Sequence, residues 1–226
     1  MLAEYVAQAE ALGLVFQSEE PSAHPAEEAL SAAVRCAEKL YLWGDSLRIL
    51  KLVESMERTL AKLPAAWVLR IEFHRLRALS SLRRDQECID RTRALLDDFA
   101  DARPTAPAEY DRIRILEGQA LWHLNRTSEA LDRIRQVRTE LVGRAESPLH
   151  AYCSSVLASA LLMSGAWVEA REFALETWVL AKRTGATLYE GMGLAQLCIA
   201  ERGRCRWAGS EDAAHEAIKL YERIGA

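Results

Sequence analysis

Five times along the chain a run of helically spaced apolar residues stops at a short break and a second run begins, with the breaks recurring roughly every 40 residues. They are Gly44-Asp45, Arg83-Arg84-Asp85, Asn125-Arg126-Thr127, Gly165-Ala166-Trp167 and Ala208-Gly209-Ser210. A period of this length belongs to helical hairpins. One hairpin cannot cover its own apolar faces and must stack on a neighbour, so the array presents a surface for binding rather than a pocket for chemistry.

The runs between the breaks define the organisation. Residues 1–16 carry Leu2, Tyr5, Val6, Ala9 and Leu12 at helical spacing and end in the apolar cluster Leu14-Val15-Phe16. Residues 17–25 hold two prolines and read as a linker, so residues 1–25 form an N-terminal helix and linker. The repeat region follows over 26–226, in approximate units 26–63, 66–102, 108–145, 148–185 and 187–226. In the first, Leu30, Val34, Ala37, Leu40 and Tyr41 mark the outbound apolar face, and Leu47, Leu50, Val53 and Leu60 the return. Ser147-Pro148 predicts a capped helix start, and Thr187-Leu188-Tyr189-Glu190 has the pattern of a capping box. No alternation long enough for a strand interrupts these runs. The expected fold is all-α: a right-handed solenoid of about five antiparallel hairpins plus the N-terminal helix.

Composition narrows the class. A chain of 226 residues with 50% hydrophobic and 27% charged content can bury a core without metal or disulfide. No membrane-spanning run and no basic secretory start is present, which predicts a cytoplasmic protein. The five cysteines, Cys36, Cys88, Cys153, Cys198 and Cys205, are scattered and read as reduced, mostly buried thiols. A net charge of −4 argues against direct nucleic-acid binding. Lysine occurs only at positions 39, 51, 62, 182 and 219, so arginine supplies most of the positive charge. Two explanations stand side by side, codon usage in a GC-rich genome and forked recognition of an anionic ligand.

The residues around the breaks resemble the tetratricopeptide repeat (TPR) family over roughly residues 26 to 226. The likeness is sharpest in Ala158-Ser-Ala-Leu161-Leu-Met-Ser-Gly165-Ala-Trp167-Val-Glu169-Ala170, with its small residue, glycine, aromatic and Glu-Ala turn. Glu129-Ala130 repeats the turn and Gly118 the small packing residue, while Ala37 and Gly44 fill those roles in the first unit. Leu76 and Cys88 depart from the pattern, and residues 202–206 read as an insertion in the fifth unit. The longer period is similar to units in large bacterial transcription activators of the maltose-regulon type and related signalling ATPases. That resemblance implies the sensor or regulatory repeat region of a larger regulator, with a further repeat or domain beyond Ala226.

No motif for catalysis emerges. His24, His74, His123, His150 and His215 form no helical zinc pattern, and no phosphate loop or nucleophile elbow is present. Glu201 and Asp212 read as charges on a solvated helix. The expectation is a non-enzymatic interaction scaffold with no cofactor or metal. Stepping by three and four from the core positions of the first helices places Arg70, Phe73, Arg77, Ser81, Arg112, Ile115, Gln119 and His123 on one inner wall, joined by Tyr152, Ser155 and Ser159. Trp122, beside His123, is the tryptophan set apart as a ligand probe, whereas Trp43, Trp167 and Trp207 read as wedges between helices. Such a wall suits an acidic or carboxylate-bearing peptide. The alternative is that its arginines pair with Glu72, Glu109 and Asp111 while Phe73 and Ile115 pack between hairpins. Two further function classes stay open: a self-associating structural module, and a small-molecule effector domain, which needs a closed cavity.

Overall fold

The computed structural model describes residues 23–224, which form eleven α-helices and one 3-10 turn, with no strand among them. The expected N-terminal helix with Leu14-Val15-Phe16, most of the linker, and Gly225 and Ala226 lie outside the described residues. Two compact units divide between Ile113 and Arg114. The first holds α1 (Ala23–Leu42), α2 (Ser46–Ser55), α3 (Glu57–Leu60), α4 (Ala65–Ser81), α5 (Asp85–Asp98), a 3-10 turn (Ala100–Ala102) and the start of α6 (Pro107–His123). The second holds the rest of α6 with α7 (Thr127–Leu141), α8 (Pro148–Met163), α9 (Trp167–Thr184), α10 (Thr187–Gly203) and α11 (Trp207–Ile224).

Every hairpin reverses by the same device. A residue in the left-handed region follows the first helix: Gly44 (φ 73°), Arg83 (60°), Asn125 (60°), Gly165 (76°) and Cys205 (57°). The next residue then donates its N–H back to a carbonyl of the helix just ended. These bonds run from Asp45 to Leu40 (2.9 Å), Arg84 to Leu79 (2.9 Å), Arg126 to Leu121 (3.0 Å), Ala166 to Leu161 (3.0 Å) and Arg206 to Glu201 (2.9 Å). The pair of features is a Schellman closure, which satisfies carbonyls that a helix end would otherwise leave open.

The fifth turn corrects the sequence expectation. Ala208-Gly209-Ser210 lies inside α11, and the reversal sits at Cys205. Residues 202–206 are therefore the end of α10 and the turn that follows it, rather than an insertion. Two other expectations fail for local reasons. The capping box at Thr187 does not form, because Ala186 is the N-cap and makes no side-chain bond there. Ser147 does start α8 as expected, and its N–H donates to His150 Nδ1 at 3.3 Å, so histidine takes the place that glutamate usually fills.

In the first unit α4 packs against α1, α2 and α5. Leu30, Ala37, Leu40, Ile49, Val53, Leu69, Leu76 and Ile89 are buried there. The expected single return helix of the first hairpin is interrupted at Met56, and Leu47 is 62% exposed instead of facing the core. Buried Glu72 on α4 receives a two-pronged bond from Arg91 on α5, at 2.7 and 2.8 Å. That fork ties the two arms of the hairpin and gives a buried carboxylate the partner it requires.

In the second unit α7 to α11 each pack on the next, and α8 also meets α10. The helices approach closely at Gly193, where a Cβ would stand 2.7 Å from the Trp178 backbone nitrogen and 3.0 Å from the Ala174 oxygen. The Trp167 ring lies where a Cβ on Gly203 would go, consistent with a wedge. Trp207 is not one, since it is 64% exposed. Glu201 also differs from expectation: it is buried, and Arg171 and Arg204 pair with it.

An L-residue in the left-handed region is held there at roughly 1–2 kcal/mol, part of which glycine returns through its larger unfolded-state entropy. Cys205→Gly is accordingly expected to stabilise the fold by about 0.5–1 kcal/mol. A rise in thermal midpoint checks this, and an unchanged or lower midpoint contradicts it.

Candidate functional site

Helix α4 carries the candidate residues of the first unit at successive turns of one face. Arg70 is half-exposed and bonds Glu109 at 2.7 Å, with its guanidinium 5.1 Å from the Trp67 ring centre. Phe73 is buried, at 5% exposure. The Arg77 guanidinium stacks on Tyr41 at 3.4 Å from the ring centre and lies 5.2 Å from Phe73. Arg112, reaching in from α6, stands 5.9 Å from the same Phe73 ring. Among the described residues no hydrogen bond or ion pair holds its guanidinium. Ser81 is exposed at the end of α4.

Three arginines thus converge over an aromatic floor of Tyr41, Trp67 and Phe73. The rings supply face-on negative potential that keeps the cations in place without neutralising them. Beneath them lies His74, 4% exposed, whose Nδ1 has no hydrogen-bond partner among the described residues. It forms the one polar wall of a cavity of about 10 Å³ otherwise lined by Ala33, Val34, Ala37, Leu52, Val53, Met56 and Ile71. Space of that size holds no more than a single water. Burial, followed by the charges of Arg77, Arg112 and Arg70, pushes the His74 pKa down to about 3. Glu109 reports the same field with opposite sign. Its burial works to raise the carboxyl pKa, but the Arg70 bond, a backbone bond and the charges of Arg70 and Arg112 outweigh this and hold it below the ordinary value.

The candidates of the second unit are mostly covered. Ile115 and Ser155 are fully buried and Tyr152 is 5% exposed. Gln119 accepts a bond from the Tyr152 hydroxyl at 3.3 Å, and the Tyr152 ring tilts against Tyr189 at 5.4 Å. Trp122 and His123 meet edge to face at 4.2 Å, both half-buried, and the indole Nε1 has no acceptor among the described residues. Ser155 and half-buried Ser159 both accept from the Gln196 amide, at 3.0 and 2.9 Å.

The structure therefore gathers Arg70, Phe73, Arg77 and Arg112 in one cluster and Tyr152, Ser155 and Ser159 along one helix face, with Gln119 joined to it through Tyr152. Sequence reasoning missed Tyr41, Trp67 and His74 in the first group and Tyr189 and Gln196 in the second. Tyr41 and Tyr189 had a signal, lying on outbound helices about one repeat length from Arg77 and Tyr152. Gln196 stands in the same relation to Ser159 that Tyr189 does to Tyr152, one repeat length on.

No known protein-family profile matches the chain, and no curated protein matches it. Solved structures do. A structure of Bacillus thuringiensis PlcR in complex with the peptide PapR7 and DNA is similar at TM-score 0.73 and 14% identity, covering 88% of this chain and 71% of that one. Two structures of a Podosopora anserina putative kinesin light chain with nearly identical TPR-like repeats are similar at TM-scores 0.57 and 0.55, each at 16% identity. The first of these, a Q17M form, covers 91% of this chain and 99% of that chain, and the second 86% and 96%. The fold is a TPR-like helical repeat. No helix among the described residues is long and apolar enough to cross a membrane.

The His74 environment gives a pH test. Folded His74 binds its proton more weakly than the ordinary 6.5, so between pH 6.5 and about 3 the folded state carries fewer protons than the unfolded chain. Its contribution to stability is complete above that window and declines as acid is added, by about 1 kcal/mol per pH unit. Glu109 loses its own contribution only as pH falls below its ordinary value of 4.5, so denaturant unfolding at pH 7 and pH 5 isolates the histidine. The loss between those two pH values is expected to shrink in His74→Gln. An equal loss in both proteins contradicts the assignment.

Proposed function

We propose that the chain is a non-catalytic scaffold that binds a protein or peptide carrying carboxylates, within a regulatory or signalling protein. The observation that carries this reading is the convergence of Arg70, Arg77 and Arg112 over Tyr41, Trp67 and Phe73. Guanidinium forks bind carboxylates through paired, charge-assisted bonds, and rings beside them accept the apolar part of the same ligand. Glu109 already demonstrates the chemistry on Arg70, and Arg112 is the fork left for an incoming group.

The fold supports the class of function. PlcR, of similar architecture, was solved with a peptide, and the helical-repeat surface is built for extended contact. That complex also contains DNA, but the net charge of −4 gives this chain no basic footprint for nucleic acid. The regulator reading extends the resemblance to repeat regions of bacterial transcription activators, with an attached domain reading out the binding event. Ser81, Ile115, Gln119, Trp122, His123, Tyr152, Ser155 and Ser159 complete the proposed binding residues. Buried Phe73, Ile115, Tyr152 and Ser155 act from below by fixing their neighbours.

A scan of immobilised glutamate-rich peptides against the wild type and an Arg77→Glu plus Arg112→Glu variant tests the proposal. Reversing the two charges is expected to reduce binding at least about tenfold, since a charge-assisted bond contributes roughly a factor of that size. Equal binding by the two proteins, with circular dichroism showing both folded, removes the arginine cluster from the site.

A further inference from the structure

Two glutamates of the first unit reach across to arginines on other helices, and the two pairs are built differently. Glu72 is buried, and both of its oxygens meet the Arg91 fork, at 2.7 and 2.8 Å. Such a pair is a brace, because separating it strands a buried charge. Glu109, in the first turn of α6, is tied to Arg70 by one oxygen and one nitrogen at 2.7 Å. The Arg70 side chain is 40% exposed. A guanidinium carries five N–H donors and can grip a carboxylate with two of them, so this single bond leaves most of the Arg70 fork unused.

Glu109 is also replaceable from its own side. Its place in the first turn sets it at the positive end of α6, so its charge keeps a favourable environment when Arg70 is taken from it. The contact has the form of an exchangeable one, in contrast to the fork on Glu72.

Arg112 lies three residues further along α6, which makes it a neighbour of Glu109 on the same helix face. Glu109 nonetheless turns to α4, and among the described residues no acid holds Arg112. Of the two cations that flank Glu109, Arg70 is thus occupied and Arg112 is open.

We infer that Glu109 is an internal ligand of the arginine cluster and determines how many acids the site reads. A carboxylate on Arg112 fills an open fork and adds a bond. A second carboxylate reaches Arg70 only by displacing Glu109, so one charge-assisted bond forms as another breaks, and a like charge remains close by. That exchange adds little affinity. A segment with one isolated acid therefore binds this chain as well as an acidic run does. The inference rests on the carboxylate-binding reading above and adds to it a specificity-determining residue.

Peptides of one sequence, carrying either a single glutamate or a second one placed in turn at each neighbouring position, test this on the full chain. The wild type is expected to bind the single- and double-glutamate peptides about equally. Glu109→Gln keeps the shape of the side chain and removes its charge. It should bind the best double-glutamate peptide about tenfold more tightly than the single one, the worth of one charge-assisted bond. Adding Arg70→Gln to that variant should abolish the preference. In the wild type the single-glutamate peptide should shift the Arg112 Nε–Hε resonance and leave that of Arg70 in place, a readout that needs no variant. A tenfold preference for two glutamates already in the wild type, none in Glu109→Gln, or an Arg70 shift with the single-glutamate peptide would overturn the inference. Glu109 would then be a brace between α4 and α6, and the scaffold reading would stand on the Arg77→Glu plus Arg112→Glu result. Binding of no peptide by either the wild type or Glu109→Gln would overturn both.

Discussion

The arrangement of this chain depends on the left-handed turn that ends each outbound helix. One residue with positive φ, followed by one N–H returned to the helix, reverses the chain within two positions and at no cost in open carbonyls. Because the geometry is repeated at all five turns, the outbound helices within each unit present equivalent faces. The Tyr152–Tyr189 and Ser159–Gln196 contacts between α8 and α10 follow from that equivalence, as does the meeting of Tyr41 on α1 with Arg77 on α4. The placement of the candidate residues is thus a consequence of the turns rather than of any one motif.

Much of this was readable in the sequence, and the reasons are specific. Gly44 and Gly165 mark their turns because glycine takes positive φ without steric cost, and Asn125 is the next most tolerant residue. Cys205 carries no such mark, and the nearby Gly209 drew the expected break into what is a continuous helix. Apolar spacing located Leu30, Ala37, Leu40, Leu50 and Val53 in the core, since burial on one helix face has a period the sequence displays. It misplaced Leu47, because the buried face of that short helix runs through Ser46, Ile49, Leu50 and Val53 and leaves Leu47 off it. Glu201 was taken for a surface charge, as nothing in its neighbours reveals that Arg171, thirty positions earlier, reaches it.

The candidate site shows the same divide. Helical stepping correctly put Arg70, Phe73 and Arg77 on one face of α4, and Arg112 beside them required only the hairpin period. What the steps could not show is depth. Phe73 forms the floor and the arginines the rim, and His74 is held neutral beneath them by burial and by their charge. Glu109 pairs with Arg70, whereas Arg112 is set against the Phe73 ring, an arrangement that leaves its fork directed at no acid and suits it to receive an anion.

Arginine side-chain NMR addresses that claim most directly, since each Nε–Hε resonance reports its own guanidinium. Titrating the labelled chain with a short glutamate-rich peptide is predicted to shift the Arg77 and Arg112 signals first and saturably, with Arg70 following as Glu109 yields its place. Shifts spread evenly over exposed arginines such as Arg144 and Arg202, or no saturable shift at Arg77 and Arg112, would contradict the account.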